Sequence, residues 1–325
     1  MQMNPSQRFT GKRIVVTGGA GFIGSHLVDS LLAAGAERVA VVDNFFLGKP
    51  ENLTEANMHG ERFTVYREDA GEQAAMAAVF DVEKPDIVFN LATKALLYSF
   101  FNPAGACKVN LDIALTLGEL LRSDAFGKLL HVSTSEVYGT AIRVPMDEEH
   151  PLLAETSYAA GKAAADLLLM SYVNMFGLDI TIVRPFNNYG PRQNDGALAA
   201  IVPLTIKRIR CGEKPAIQGD GLQTRDFVYV EDTVNGFLQF ALADNIKGGV
   251  FNLGSGRETS IKEIVETLCR LLDYKGEVDF QPERKADVRR HMADVAKAEL
   301  VIGNLAPTRL DAGLEKTLHW YLENN

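Results

Sequence analysis

The sequence predicts an α/β protein: a doubly wound parallel sheet followed by a smaller C-terminal lobe. Three observations carry this. Short continuous apolar runs alternate with longer segments of helical spacing through the first half of the chain. The first run ends in Thr17-Gly18-Gly19-Ala20-Gly21-Phe22-Ile23-Gly24, a strand–glycine–helix pattern. An acid, Asp43, stands 19 residues after Gly24, at the end of the second run.

The elements follow in order. Arg13–Thr17 is apolar and precedes glycines, so it reads as a buried strand. Ile23–Ala34 has helical spacing and stops at Gly35. Arg38–Val42 is the second strand, stopped by Asp43-Asn44, and Phe63–Tyr66 the third. Asp86–Leu91, Lys128–Ser133 and Leu178–Val183 are the fourth, fifth and sixth. Long helices are expected near Lys108–Ser123 and Tyr158–Phe176. From about Arg184 the pattern turns to loops rich in Pro, Gly and Arg. The expected division is therefore 1–183 for a dinucleotide-binding domain of Rossmann type. Residues 184–325 would be mainly a substrate-binding lobe, with some chain returning to the sheet.

Composition sets limits. The chain has 325 residues, 46% hydrophobic and 23% charged, which suits a soluble protein with a large core. A net charge of −9 argues against nucleic acid or an acidic membrane surface as the main partner. Cys107, Cys211 and Cys269 have no metal-like spacing and read as reduced thiols of a cytoplasmic protein, so no metal is expected. Met1–Arg13 has no signal-peptide apolar region, and no apolar run approaches the ~20 residues of a membrane helix.

The glycine motif has its own mechanics. Gly18 permits the tight turn after the strand, and Gly21 lets backbone approach a pyrophosphate. Gly24 lets the helix pack close, so that its N-terminal N–H groups face the phosphates. Asp43 can accept from both ribose hydroxyls and repels a 2′-phosphate, which favours NAD over NADP.

A second constellation carries the chemistry. Tyr158 and Lys162 lie four apart and share one helix face. The Lys162 ammonium and an oxidised nicotinamide would lower the phenol pKa of Tyr158. The phenolate could then take a hydroxyl proton as hydride leaves the same carbon. Thr134, just past the fifth strand, can bridge to the same oxygen.

At this point the chain resembles the extended short-chain dehydrogenases/reductases of the nucleotide-sugar epimerase, dehydratase and decarboxylase group. The residues that carry the resemblance are Gly18–Gly24, Asn90-Leu91-Ala92, Ser133–Gly139, and Tyr158 with Lys162. Arg184–Arg192, Gln223–Phe227 and Asn252–Gly256 continue it. The resemblance implies an NAD site lined by Gly18, Gly21, Phe22, Ile23, Gly24, Asp43, Asn44, Leu91, Ala92, Thr93, Tyr158, Lys162 and Pro185. Asp69, with Ala70, would touch the adenine. A nucleotide-diphosphate sugar would meet Ser135, Asn187, Arg192, Arg225 and Arg284. Lys94 departs from the usual motif and is read either as facing phosphate or sugar, or as an exposed loop lysine. A homodimer built on the two long helices, as a four-helix bundle, is also implied.

Glu136 narrows the reaction. A carboxylate two residues after Thr134 resembles the 4,6-dehydratases and the glucuronate decarboxylases rather than simple 4-epimerases. It could remove the C5 proton acidified by a 4-ketone. Thr134-Ser135-Glu136 is similar to the triplet of GDP-mannose-type dehydratases and departs from the Asp-Glu pair of dTDP-glucose-type enzymes. The expectation is therefore an NAD-dependent nucleotide-sugar 4,6-dehydratase. UDP-glucuronate decarboxylase and nucleotide-sugar 4-epimerase are the alternatives, and a non-catalytic NAD-binding sensor is the remote one.

Overall fold

A computed structural model describes residues 7–283 and 288–324. Along the chain run β1 Arg13–Thr17, α1 Phe22–Ala33, β2 Arg38–Val42, α2 Thr54–Asn57, β3 Phe63–Tyr66, α3 Gln73–Glu83 and β4 Ile87–Asn90. Then come α4 Pro103–Arg122, β5 Lys128–Val132, α5 Ser157–Phe176, β6 Ile180–Pro185, β7 Asn187–Tyr189 and α6 Ile201–Arg210. The rest is β8 Ala216–Gln218, β9 Thr224–Arg225, β10 Phe227–Tyr229, α7 Val230–Leu242, β11 Val250–Leu253, β12 Thr259–Ser260, α8 Ile261–Leu271, β13 Asp279–Gln281, α9 Ala296–Ile302 and α10 Leu310–Asn324.

The central sheet has seven strands in the order β11-β6-β5-β4-β1-β2-β3. Its pairings from β3 through β6 are all parallel. The strands are nearly continuous Val/Ile/Leu runs because both faces of such a sheet are covered. On one face Val15, Ala40, Val42, Val88, Leu129, Ile180 and Ile182 meet Met76 and Phe80 of α3, Ile113 and Leu117 of α4, and Leu169 of α5 in one buried core.

Helix ends follow local chemistry. The Asn102 side chain accepts the Gly105 N–H, with Pro103 in the first turn, and so starts α4. The Ser260 hydroxyl accepts the Glu263 N–H and starts α8. Gly35, at φ +86°, follows α1 where the sequence places its end.

The chain forms two compact units. The first comprises the residues up to Thr134, Ser157–Arg184 and Val234–Val250; the second comprises Ser135–Thr156, Pro185–Thr233 and the residues from Phe251 onward. Paired short strands (β10 with β7, β12 with β9, β13 with β8) belong to the second unit. The region beyond Arg184 is richer in helix than its loop-like composition suggests: α6 to α10 all lie there. No helix among the described residues is long and apolar enough to cross a membrane. Nor could any group of His, Cys, Asp and Glu among them hold a metal ion.

Candidate active site

The first unit carries the glycine loop between β1 and α1. Gly18 stands at φ +71°, and its N–H donates to the Val42 carbonyl at 2.8 Å. A Cβ there would fall 2.8 Å from the backbone of Leu91 and Ala92. A Cβ at Gly24 would run into the Gly18 carbonyl. The turn is thus shaped for backbone alone, with the N-terminal N–H groups of α1, from Phe22 and Ile23 on, opening beside it.

Asp43, at the end of β2, is 8% exposed. One of its oxygens accepts the Ala20 N–H at 2.9 Å and the other the Phe45 N–H at 2.8 Å. Burial pushes its pKa up, and these two bonds pull the other way. The acid therefore braces the glycine loop and keeps lone pairs to spare for a diol. Asn44 donates to Asp69 at 2.9 Å, whose other oxygen accepts the Gly71 N–H, beside buried Ala70. These residues fit a dinucleotide.

After β4, Leu91, Ala92 and Thr93 border the same loop, and Thr93 donates to Asn110 at 2.7 Å. Lys94 is no bare surface lysine: its ammonium lies 4.6 Å from the ring centroids of both Phe46 and Tyr98. In the next turn the Ser99 hydroxyl accepts the Tyr158 N–H at 2.9 Å. Sequence alone gives no signal for Ser99, because its partner lies 59 residues away.

Tyr158 and Lys162 open α5, with Tyr158 half-buried and Lys162 2% exposed. The Lys162 ammonium donates to the Val132 carbonyl at 2.8 Å. Burial lowers its pKa to about 8, opposed by the charge of Asp166. Thr134 follows β5 and is 8% exposed. Behind them, Asn90, His131, Asp166 and Arg184 are buried polar groups outside the sequence-derived site. Asp166 falls one helical turn after Lys162, which is the one signal that could have marked it.

The second unit carries Ser135 and half-buried Glu136 on a short 3₁₀ turn, Ser135–Tyr138. Tyr138 of that turn donates to Asn252 at 2.7 Å. Pro185 is buried. Asn187 holds its backbone against Asp226, while its buried side-chain oxygen has no hydrogen-bond partner among the described residues. Arg225 is 6% exposed and donates to the Thr224 carbonyl at 2.9 Å. Arg192 is half-buried at φ +63°. Asp226 accepts the N–H groups of Ser255, Gly256 and Ala293 and so pins that loop. Arg284 lies outside the described residues.

Comparison with known proteins agrees with this fold. A family model described as GDP-mannose 4,6 dehydratase matches residues 15–317. A UDP-glucose 4-epimerase from Mycolicibacterium smegmatis is 34% identical over 95% of this chain and 98% of its own. UDP-glucuronic acid decarboxylase 1 of Xenopus tropicalis is 35% identical over 95% of this chain and 72% of its own. A dTDP-glucose 4,6-dehydratase structure from Streptomyces venezuelae, with NAD bound, is 30% identical with TM-score 0.90, covering 96% of this chain and 97% of that one. The chain belongs to the GDP-mannose 4,6-dehydratase family, within the NAD-dependent extended short-chain dehydrogenases/reductases that act on nucleotide sugars.

Proposed function

We propose that the protein is an NAD-dependent nucleotide-sugar lyase, a 4,6-dehydratase. The observation that carries this reading is Glu136, a half-buried carboxylate two residues beyond Thr134. Gly18, Gly21, Gly24, Asp43, Asn44, Asp69 and Leu91–Thr93 hold NAD. When bound there, NAD would supply the hydride acceptor for oxidation at sugar C4 and the hydride donor for C6. Tyr158 phenolate takes the O4 proton, with the Thr134 hydroxyl bonded to the same oxygen. The positive charge of Lys162 favours the phenolate. Glu136 then removes the C5 proton, acidified by the adjacent ketone; the C6 hydroxyl departs with a proton as water, and C5 regains a proton from solvent as hydride reaches C6. The buried unpartnered oxygen of Asn187 and the guanidinium of Arg225 support roles at the sugar nucleotide, with Arg192 beside the diphosphate.

Decarboxylation is the second reading, favoured by the 35% identity to a UDP-glucuronic acid decarboxylase. There Tyr158, Thr134 and Lys162 keep their roles, and the C4 ketone promotes loss of carbon dioxide from C5.

Mass spectrometry after incubation with UDP-, GDP- and dTDP-linked sugars, UDP-glucuronate included, tests this. Loss of water supports the dehydratase and loss of carbon dioxide supports the decarboxylase. An isomer of unchanged mass would replace both with a 4-epimerase. In heavy water a dehydratase product carries deuterium at C5, and Glu136→Gln abolishes product while C4 oxidation persists as bound NADH absorbance. A product that keeps its original C5 hydrogen sinks the role of Glu136.

A further inference from the structure

Among the polar side chains buried in and behind the sheet of the first unit is a connected group of six, of which the acid–base reading uses only Lys162. The others are Thr17, Asn90, His131, Asp166 and Arg184, each 5% exposed or less. Parallel register sets Thr17, Asn90 and His131 in a row across β1, β4 and β5. Their hydrogen bonds run in one direction. The Ala92 N–H donates to the Thr17 hydroxyl at 3.4 Å, and that hydroxyl donates to Asn90 Oδ1 at 2.7 Å. With its oxygen engaged, Asn90 presents its NH₂ to His131 Nδ1 at 2.9 Å. Nδ1 must then accept, so the ring proton sits on Nε2. Nε2 faces Asp166 Oδ1 across 3.7 Å. The other Asp166 oxygen accepts Arg184 Nε at 2.9 Å.

The charges add up simply. Lys162 on α5, Arg184 on β6, His131 on β5 and Asp166 on α5 are the titratable groups that act on one another here. Burial, then the charges of Lys162 and Arg184, hold His131 neutral. Burial pushes the Asp166 carboxyl up, and the charges of Arg184 and Lys162 with the Arg184 hydrogen bond oppose that and favour the anion; as the anion it is the negative group of the cluster, one helical turn from Lys162.

We propose that Asp166 is a positioning residue for the acid–base chemistry. Its carboxylate, anchored by Arg184 and faced by the ring of His131, is the counter-charge that keeps the Lys162 ammonium charged beside Tyr158. This rests on the reading of Tyr158 as the base. Groups four apart on a helix have Cβ atoms about 5–6 Å apart. Taking that as the charge separation, with an effective dielectric near 20, losing the carboxylate lowers the Lys162 titration by roughly two pH units.

The test is a lysine side-chain NMR titration of the whole chain, with Lys162→Met assigning the signal. Asp166→Asn should move the Lys162 titration down by that amount, and Asp166→Glu should restore most of it. A folded Asp166→Asn protein with an unmoved Lys162 titration overturns the proposal. If the Asn variant does not fold, Asp166→Ser, which leaves room for water beside Arg184, carries the same comparison. In the unaltered protein a Lys162 already neutral at neutral pH overturns the proposal without any variant, and a charged one supports it. Phenolate absorbance, wild type minus Tyr158→Phe, separates the two layers. If Lys162→Met leaves the Tyr158 titration unchanged, the reading of Tyr158 as an activated base fails. If it raises that titration while Asp166→Asn leaves Lys162 unmoved, only this inference fails.

Discussion

Replacing Asp43 by asparagine probes the dinucleotide site with a change of almost no volume. The two carboxylate oxygens accept N–H groups at 2.9 Å and 2.8 Å, from Ala20 and Phe45. A carboxylate has about four lone-pair sites, so roughly two remain for a ribose diol. Asparagine keeps one acceptor oxygen and turns the other into a donor, which opposes an N–H and cannot accept from a ribose hydroxyl. One loop bond and one ribose bond are lost, at about 1.5–3 kcal/mol each for a charged acceptor. The ribose loss appears as roughly 10- to 100-fold weaker NAD binding. The loop loss appears as a lower melting temperature of the cofactor-free protein. NADP binding should fall far less, because the charge that repels a 2′-phosphate is gone. Protonation should mimic the substitution: burial raises the Asp43 pKa, so NAD binding weakens as pH falls into the range just above ordinary carboxylates. Fluorescence titration with NADH and NADPH, with thermal melts, gives all four quantities. An unchanged NAD-to-NADP preference in the variant, or wild-type protein that binds NADP as tightly as NAD, refutes the reasoning.

The buried histidines make the fold acid-sensitive in a defined window. Burial and Arg225 lower His291 to about 3 from 6.5, so the unfolded chain binds the extra proton between those values. Its contribution is complete above pH 6.5 and is lost as pH falls toward 3, at about 1.4 kcal/mol per pH unit. His291→Asn should flatten that slope in urea unfolding measured at several pH values; an unaltered slope counts against the assignment. Gly161→Ala should cost about 1–3 kcal/mol, because a Cβ on α5 would meet the Cys107 carbonyl of α4 at 2.5 Å; thermal melting decides, and no loss would mean the helices part easily. A homodimer is expected through α4 and α5, which expose Leu115, Leu167, Met175 and Phe176. Light scattering at micromolar concentration should give a dimer mass that Leu167→Lys reduces, whereas a monomer for the unaltered protein ends that expectation.

The first half of the chain was readable because each strand is a short apolar run buried on both faces. β1, β2 and β3 fall at the residues the sequence predicts, and the next three shift by one or two at their ends. The second half was less readable. It opens on loops carrying Gly, Pro and Arg, yet α8 carries Ile261, Ile264, Val265 and Leu268 behind a Ser260 cap, a helical signature. Within the site, Tyr158, Lys162 and the glycine turn are local motifs and could be found by spacing. His131 and Asn90 could not be assigned a role that way, since their meaning comes from strand register. Ser99 and Asp226 act through backbone groups of distant segments, which no local pattern announces.

Epimerisation, decarboxylation and dehydration all begin by oxidising C4, and the groups proposed for that step lie in the first unit. That unit has a buried polar network in which a single unpaired charge costs several kcal/mol, so substitutions at Asp166 or Arg184 are costly there. The fate of the 4-keto sugar depends on which groups reach C5 and C6, and on how the sugar nucleotide is held. Glu136, Asn187 and Arg225 belong to the second unit, on short segments fixed by their own partners, such as the Asp226-pinned loop. Such a division accounts for a chain that is 34% identical to a 4-epimerase, 35% to a decarboxylase and 30% to a dehydratase. The fate of the C5 hydrogen reports on Glu136 alone, so the heavy-water experiment discriminates where overall similarity does not.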